Sequence, residues 1–437
     1  MNTAAEPIAH HDPEPVVAHD GPSGCPVLHN FDILGEAEVN RPGTYTAVAR
    51  EEAPVFFVPE VGQYVVTRWD DAHRALTDHK VFAPLQTPYT KVPAEAAELL
   101  PNGFAYGRAS ALSVLSPPEH TRVRKLAQKA FTRSAALAKA EEIRGICQEL
   151  IDGFVADGSC DLVTSFTSKY PIRALCAVLG IEHELAPTLY QWAVDIITLR
   201  GDPGLPHDEM MALCRRQAEM ESWARELIAD RRARPRGDGD VVSTLATATA
   251  DDGTPRLTTD EIFDVIVIVI TGGAETSSAT TAQMVRRLLI DDALRARIEA
   301  DHGLLEQALE EELRVDMVGR MTFRDVIEDG VELGGVPVPK GARLAIHLWS
   351  ANHDPEIFSD PESFDLDRAD VGKLLSWGKG THFCLGAPLA WVEIPIAIEC
   401  LLERLPGLRL VPGHELQRLP AMFMPSVNGG LVVEWDA

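Results

Sequence analysis

The segment Trp377-Gly378-Lys379-Gly380-Thr381-His382-Phe383-Cys384-Leu385-Gly386 constrains this 437-residue sequence more than any other. It places Cys384 among three glycines, and a helix is predicted to begin near Ala387. Glycines let the backbone pass close to the sulfur and point N–H groups at it. The positive N-terminal end of the following helix favours a thiolate. The pattern predicts a cysteine that binds a metal; the alternative is a buried structural cysteine in a glycine-rich turn.

The same segment resembles the heme loop of the cytochrome P450 family, Phe-x-x-Gly-x-x-x-Cys-x-Gly. The resemblance implies that Cys384 is the axial ligand of a heme b iron, with Trp377, Gly378 and Gly386 against the heme. A thiolate ligand pushes electron density onto the iron. The sequence departs from the family at Trp377, where phenylalanine is usual. The indole keeps an aromatic cover near the sulfur, and its N–H is expected to add a hydrogen bond.

A second segment, Gly272-Gly273-Ala274-Glu275-Thr276, lies inside a long helix predicted from Thr259 to about Asp292. Two glycines in a helix interior are destabilising, so either a packing notch or a function must explain them. The segment resembles the family's oxygen-activation motif. The resemblance implies that Gly272 and Gly273 open space over the iron, that Thr276 donates a hydrogen bond where dioxygen binds, and that Glu275 relays protons.

Basic side chains are expected to bind the heme propionates. His120 and Arg124 are four residues apart on a predicted helix and so face the same side. The resemblance implies that both make charge-assisted bonds to a propionate, and that His382 does the same. Arg324 is the fourth candidate, with Arg320 as its alternative.

The segment Glu311-Glu312-Leu313-Arg314 resembles the family's Glu-x-x-Arg pair. Residues three apart share a helix face. The resemblance implies that Glu311 and Arg314 form a buried structural network with the segment before the heme loop, at Arg368 or its neighbours. The alternative is a surface ion pair. The stretch from Ala351 to Asp365 also resembles family scaffold.

The remaining sequence is predicted to be mainly helical with a smaller β-rich part. Pro54–Val58 and Gln63–Thr67 are predicted to form a hairpin. Because the motifs follow the family's order over nearly the whole chain, the resemblance implies the cytochrome P450 fold, with heme between the long central helix and the cysteine-bearing loop. Residues 26–437 are predicted to form a single catalytic domain, and residues 1–25 a disordered acidic tail.

Composition excludes several functional classes. The net charge of −26 disfavours nucleic-acid binding. The seven cysteines are scattered without a Cys-x-x-Cys pair, so neither a disulfide framework nor an iron–sulfur centre is expected. The start of the sequence does not resemble a signal peptide, and no stretch approaches eighteen consecutive apolar residues. A cytoplasmic protein that does not cross a membrane is expected.

These features predict a monooxygenase that inserts one atom of O2 into a small apolar or aromatic substrate, by hydroxylation or O-dealkylation. Electrons are expected from a separate ferredoxin and an NAD(P)H-dependent reductase. A peroxide-driven peroxygenase and a non-catalytic heme sensor are the alternatives. Glu275 and Thr276 argue against both, because peroxygenases typically replace this pair and a sensor does not require it.

By the same resemblance, three segments are expected to line the substrate pocket, through Ile268, Thr271, Gly272, Val318, Gly319, Met321 and Phe423. On the central helix, offsets of four, five and eight from Thr276 favour a shared face. The loop Leu85–Leu115, with Phe104 and Tyr106, is expected to border the pocket. Ordinary core packing is the alternative for each of these residues.

The predicted helix after Pro118 is basic within an acidic chain. From His120 to Arg133 it contains no acidic residue, and it carries Arg122, Lys125, Lys129 and Arg133. In the family this helix lies beneath the heme. We hypothesise that these four side chains help to dock an acidic iron–sulfur ferredoxin, because charge complementarity raises encounter rates. The alternative is a solvated helix face.

Overall fold

The computed structural model describes residues 16–436 except 30, 33–34, 41, 86–92, 106–107, 202–204, 238, 420–425 and 428. Within these residues the α-helices are α1 Glu36–Asn40, α2 Gly43–Glu52, α3 Trp69–Thr77, α4 Glu119–Ala127, α5 Arg133–Ala138, α6 Ala140–Asp152, α7 Tyr170–Leu179, α8 Ala186–Gly201, α9 His207–Ala233, α10 Val241–Ala246, α11 Thr259–Ile290, α12 Asp292–Ala300, α13 Leu305–Val315, α14 Leu348–Asn352 and α15 Ala387–Arg404. The strands are β1 Val16–Ala18, β2 Val27–His29, β3 Val55–Val58, β4 Gln63–Val66, β5 Phe82–Pro84, β6 Ser159–Asp161, β7 Met321–Val326, β8 Val331–Leu333, β9 Val336–Val338, β10 Arg343–His347, β11 Arg409–Leu410, β12 Arg418–Leu419, β13 Ser426–Val427 and β14 Val432–Glu434.

The long helix α11 forms the centre of the helical part. Thr258 caps it: its hydroxyl accepts from the Glu261 N–H, while the Glu261 carboxylate accepts from the Thr258 N–H. This reciprocal cap and the acidic first turn fix where the helix begins. Helices α7, α8, α9 and α15 pack around α11. Its buried residues belong to the largest hydrophobic core of the described chain.

The β-rich part is built on a seven-stranded mixed sheet in the order β1-β2-β3-β4-β10-β7-β5. The predicted hairpin is confirmed, because β3 and β4 pair antiparallel with Val55 opposite Val66. Strand β10 then pairs parallel to β4 and antiparallel to β7. Separate hydrophobic clusters cover the two faces of this sheet. The fold is therefore the mainly helical one with a smaller β part that the sequence predicts.

The N-terminal segment differs in part from the prediction of a disordered tail. Residues 1–15 lie outside the described residues. Residues Val16–Ala18, however, form β1 and pair antiparallel with β2. Val27 and Leu28 of β2 are buried, and Val27 also pairs with Phe57 of β3, so this part of the tail is ordered at the edge of the main sheet. That residues 26–437 form a single domain remains a prediction.

Helix α11 is also long and apolar enough by composition to cross a membrane. However, 78% of its most apolar 18-residue window is buried inside the protein. An apolar helix that is covered on most sides is the core helix of a large domain. In this fold α11 therefore acts as the scaffold on which the candidate site is built.

Candidate active site

A cavity of about 370 Å³ lies between α11 and the loop that precedes α15. One wall carries Gly272 and Thr276, and the opposite wall carries Cys384. All ten residues predicted to bind the cofactor line this cavity: His120, Arg124, Gly272, Gly273, Arg324, Trp377, Gly378, His382, Cys384 and Gly386. The structure thus brings together side chains from α4, α11, β7 and the cysteine loop.

The cysteine loop has the tight backbone that its glycines predict. Gly378 and Gly380 both have left-handed φ angles, of 67° and 69°. A Cβ at Gly380 would come within 2.8 Å of the Leu76 carbonyl oxygen, so a side chain there would clash with backbone. The Cys384 N–H donates to the Trp377 carbonyl at 2.7 Å and closes the loop. Cys384 is thereby held at the start of α15.

The surroundings of Cys384 suit a metal thiolate. Burial raises the pKa of the thiol, while the N–H groups of Gly386 and Ala387 and the charge of Arg124 lower it. Without a metal, burial keeps the thiol protonated. The two N–H groups at the beginning of α15 point at the sulfur and would stabilise a thiolate once a cation is bound to it.

Trp377 does not make the hydrogen bond to the sulfur that the sequence suggests. Its indole N–H donates instead to Oε1 of Glu310, on α13, at 2.9 Å. The indole of Trp391 donates to the same oxygen. An indole has a single N–H donor, so Trp377 has none left for the sulfur of Cys384. Trp377 thus makes the hydrogen bond expected of its indole, and the acceptor is Glu310 and not the sulfur.

Four basic side chains converge on one side of the cavity. His120 and His382 stack at an angle, with ring centroids 4.2 Å apart. Nε2 of each ring is buried without a hydrogen-bond partner among the described residues. Arg124 donates to the Phe383 carbonyl, and the buried Arg324 donates to the carbonyl of the adjacent residue at 2.8 Å. Unpaired buried donors of this kind indicate an anionic ligand.

The pKa shifts of this group have one main cause. Burial lowers the pKa of His120 to about 4 and that of His382 to about 2, with neighbouring cations adding to the effect. Burial also lowers the pKa of Arg324 to about 10. In the two histidines nearby positive charges add to the effect of burial, whereas burial alone lowers the pKa of Arg324. Two carboxylates at this position, such as heme propionates, would supply the missing negative charge.

Of the two arginines proposed for a propionate, only Arg324 faces the cavity. Arg320 points away from it and donates to the backbone carbonyls of Glu38 and Val39. It also lies 3.8 Å from the carboxylate of Asp316. The geometry therefore favours Arg324.

The α11 wall leaves free space in the cavity where Gly272 has no side chain. The helix runs without interruption through the glycine pair, so any space here comes from the missing side chains and not from a break in the helix. A Cβ on Gly272 would meet nothing within 4 Å, whereas one on Gly273 would lie 3.0 Å from Leu175. The Thr276 hydroxyl lines the cavity but donates to the Gly272 carbonyl at 2.6 Å. It therefore offers its oxygen to the cavity as an acceptor until the hydroxyl rotates.

Glu275 is not at the cavity. It is buried, and its charge contributes, after burial, to raising the pKa of Tyr190 on α8. The cavity lining includes Thr276 and Ser277 but not Glu275. The predicted proton relay through Glu275 is not seen as a direct path.

Only some of the residues predicted to line the substrate pocket face this cavity. Ile268 and Gly272 line the cavity, but Thr271 does not: it is buried, and its hydroxyl bonds the Val267 carbonyl. Val318, Gly319 and Met321 are also absent from the described lining. Phe423 lies outside the described residues.

The alternation of side chains along β7 explains why Met321 does not line the cavity. Met321 and Phe323 pack into the hydrophobic cluster on one face of the sheet. Thr322 and Arg324 lie on the other face and line the cavity. Successive side chains of a strand point in opposite directions, so the residue chosen was one position away from the residue that faces the site.

The predicted loop contributes residues other than its aromatics. Leu112 and Ser113 line the cavity. Phe104 instead packs in a separate cluster with residues such as Leu199 and Leu213. Tyr106 lies outside the described residues.

Sequence reasoning missed a buried acid at the cavity. Glu393 of α15 accepts a hydrogen bond from Ser277 at 2.5 Å, and both residues line the cavity. Oε2 of Glu393 has no partner among the described residues. Burial raises the pKa of Glu393 to about 7, although the Ser277 bond opposes the shift. The signal was available as a lone acid in the apolar run from Trp391 to Ala397.

The predicted Glu311–Arg314 network is present and buried. Arg314 makes two bonds of 2.9 Å to the Glu311 carboxylate. Arg368 donates to the same carboxylate at 2.9 Å, which is the partner that the sequence suggests. Arg314 also donates to backbone carbonyls of Asn352, Pro361 and Ser363. The network ties α13 to the segment before the cysteine loop.

The arrangement fits a heme. A thiol with backbone donors lies on one wall, a helix surface with two adjacent glycines lies on the other, and basic side chains without a facing acid lie at one side. Cys384 would bind the iron, and the four basic residues would hold the propionates. A thiolate ligand directs the chemistry of such a group toward O–O cleavage.

Comparisons with known proteins agree with this geometry. The family model described as Cytochrome P450 matches residues 205–412. The 6-deoxyerythronolide B hydroxylase of Saccharopolyspora erythraea is 32% identical over 368 residues, covering 83% of this chain and 88% of that protein. Cytochrome P450 monooxygenase PikC of Streptomyces venezuelae is 31% identical over 428 residues, covering 95% and 96%. The structure of cytochrome P450 CREJ in complex with (4-ethylphenyl) dihydrogen phosphate superposes with a TM-score of 0.83 at 25% identity, covering 93% and 98%.

Proposed function

The chain belongs to the cytochrome P450 family and is a heme b-dependent monooxygenase. From this premise we propose a role for each group of residues at the cavity. The observation that carries the proposal is the single cavity with Cys384 on one wall and Gly272 with Thr276 on the other. Heme bound by Cys384 supplies the chemistry that transfers one atom of O2 to a substrate. The protein supplies binding, orientation and proton delivery.

The cofactor is held at its charged side by His120, Arg124, Arg324 and His382. Arg124 and Arg324 would form charge-assisted bonds to the two carboxylates. Burial lowers the pKa of both histidines, and the carboxylates of a bound cofactor would oppose that shift. The otherwise unpartnered Nε2 atoms are the ring positions that would bond to these carboxylates.

Thr276 and Ser277 assist proton movement at the α11 wall. Both line the cavity, and Ser277 is bonded to the buried Glu393. The Thr276 hydroxyl can rotate away from the Gly272 carbonyl to donate into the cavity. Glu275 belongs to an outer step of this path, since it lies behind Thr276 and away from the lining.

The substrate we propose is a small apolar or aromatic molecule. The described lining near α11 is mostly apolar, through Leu112, Leu175, Ile268 and Val269, with Ser113 as a polar contact. The name of one similar protein is that of a hydroxylase, and one similar structure holds (4-ethylphenyl) dihydrogen phosphate, which joins an apolar aromatic group to a polar phosphate. These support hydroxylation or O-dealkylation of an apolar group that is oriented by one polar contact.

We propose that electrons come from a separate ferredoxin and its NAD(P)H-dependent reductase. Helix α4 supports this proposal, since Arg124 of α4 bonds the Phe383 carbonyl beside Cys384. The exposed residues of α4 therefore lie close to the cysteine side of the cavity. We place the protein in the cytoplasm, where such partners operate, with residues 26–437 as one catalytic domain.

The variant Cys384→Ala tests whether Cys384 is the ligand of the heme iron. The parent, reduced under carbon monoxide, is expected to absorb at about 450 nm, as thiolate-ligated heme does. The variant should lose this band. Cys160→Ala is the control, because Cys160 is half-buried on β6 and absent from the cavity lining. A Cys384→Ala protein that keeps the band would show that another residue is the ligand.

The substrate proposal is tested by a ligand screen. Binding beside the iron shifts the Soret band, so apolar aromatic, apolar aliphatic and charged compounds of similar size can be ranked. Turnover of the best binder is then measured with NADPH, a surrogate ferredoxin and a reductase. If charged compounds bind best, the proposed substrate class is wrong.

A further inference from the structure

Glu310 connects two tryptophans beneath the candidate heme site. Its Oε1 accepts the indole N–H of Trp377 at 2.9 Å and that of Trp391 as well. The two rings meet edge to face, with centroids 5.6 Å apart and planes at 73°. All three side chains are half-buried. Burial raises the pKa of the Glu310 carboxyl, and the two indole bonds lower it.

The position of Trp377 makes this contact relevant to the metal ligand. Trp377 begins the cysteine loop, its carbonyl accepts the Cys384 N–H at 2.7 Å, and its side chain lines the same cavity as the sulfur. The sulfur already receives the N–H groups of Gly386 and Ala387. A third donor would withdraw more electron density from the thiolate, because hydrogen bonds to a ligand sulfur tune the metal that it binds.

We propose that Glu310 is a positioning residue for the axial ligand. It captures the indole N–H of Trp377 and thereby keeps that donor from the Cys384 sulfur. The carboxylate is suited to this, because charge-assisted bonds are stronger than neutral ones. Trp391 donates to the same oxygen and packs against Trp377, so it restricts the rotation of both partners. The arrangement lets the loop carry a tryptophan while the thiolate keeps the donor strength it would have beside a phenylalanine.

The experiment compares Glu310→Ala with Glu310→Gln. Both remove the same charge, but only glutamine retains an oxygen that accepts the indole N–H. The readouts are the reduction potential of the heme and the position of the ferrous carbon monoxide band, both without substrate. Glu310→Ala should shift the potential to more positive values and the band to shorter wavelength. Glu310→Gln should keep the band of the parent and show only the potential shift that loss of charge causes.

A second pair of variants isolates the indole. Trp377→Phe removes the N–H, and it should leave the carbon monoxide band at the parent position because the sulfur never received that donor. In the Trp377→Phe background, Glu310→Ala should no longer move the band. Trp391→Phe should also leave the band in place, since Trp377 keeps its own bond to Glu310.

Three results would overturn the proposal. One is an equal band shift in Glu310→Ala and Glu310→Gln, which would assign the effect to charge. Another is persistence of the Glu310→Ala shift in the Trp377→Phe background. The third is a shift of the band to longer wavelength in Trp377→Phe, which would show that the indole does bond the sulfur. This last measurement needs no Glu310 variant, so it holds even if Glu310→Ala fails to fold. None of these readouts depends on the proposed substrate or redox partner.

Discussion

Two threonines of α11 make the same bond to the helix backbone but face different surroundings. The hydroxyl of Thr276 donates to Gly272 at the cavity, and that of Thr271 donates to Val267 in the core. Thr276→Ala removes the hydroxyl that would assist proton delivery in the cavity, a loss of about 1 kcal/mol, so product per NADPH should fall roughly five-fold. Hydrogen peroxide release should rise, while substrate binding and reduction persist. Thr271→Ala is the matched control. Equal coupling of NADPH to product in both variants would remove Thr276 from the mechanism.

Glu393 contributes a pH-dependent term to stability. Its pKa is raised from 4.5 to about 7 in the folded protein, chiefly by burial. The folded state therefore holds this proton more tightly than the unfolded state. The associated stability is present below about pH 4.5 and is lost as pH rises through 7.

Replacing Glu393 with glutamine should remove that loss. Relative to the parent, the free energy of unfolding of Glu393→Gln should increase between about pH 5 and pH 8, by on the order of 1–3 kcal/mol. Urea denaturation at the two pH values measures the change. Glu399→Gln is the control on the same helix, because that carboxylate pairs with Arg144. A Glu393→Gln curve parallel to that of the parent would contradict a raised pKa.

At the scale of single elements, local spacing determined which features the sequence could predict. The residues of the cysteine loop, the Glu311–Arg314 pair and the His120–Arg124 pair are close in sequence, so their shared faces follow from loop or helix geometry. Strand β7 was not predicted. Its direction of alternation depends on pairing with β10, which sets Thr322 opposite Ile346. A shift of one residue there exchanges the two faces, so the sequence alone does not determine whether Met321 or Thr322 faces the cavity.

We expect Arg314 to stabilise the protein through the planar geometry of its guanidinium rather than through its charge. Its guanidinium bonds the Glu311 carboxylate twice and reaches three backbone carbonyls from a fully buried position. Lysine cannot reproduce this planar set of donors. Arg314→Lys should therefore lose about 3–5 kcal/mol of stability, with lower heme content, as seen by urea denaturation and Soret absorbance. Arg297→Lys, at the exposed pair with Asp367, should be nearly neutral. Similar losses in both variants would contradict the prediction.

At the scale of the whole molecule, the sequence predicted the fold class but not the sheet order. Strand β10 pairs parallel to β4, with Leu344 beside Tyr64. No local pattern specifies a contact between residues so far apart, because it depends on how the intervening helices pack. The same limit applies to the basic helix, whose charges can be evaluated only once their partners in space are known.

The structure narrows the proposed docking surface to two lysines. Arg122 is paired with Glu261, and Arg133 is paired with Glu306. Lys125 and Lys129 are exposed and form no ion pair with any residue that the structure describes. In a chain of net charge −26, these two side chains beside the cysteine loop are the part of the basic helix still available to an acidic partner.

The double variant Lys125→Glu with Lys129→Glu should slow the first electron transfer from an acidic ferredoxin. Charge reversal on the contact face lowers the encounter rate, and the loss should be largest at low salt, because screening limits the field to about 8 Å at physiological ionic strength. Stopped-flow reduction under carbon monoxide at several ionic strengths measures it. The control, Lys169→Glu with Lys340→Glu, makes the same change in net charge at exposed lysines elsewhere. If both double variants slow reduction equally, the overall field of the protein governs the encounter and α4 is not the docking site.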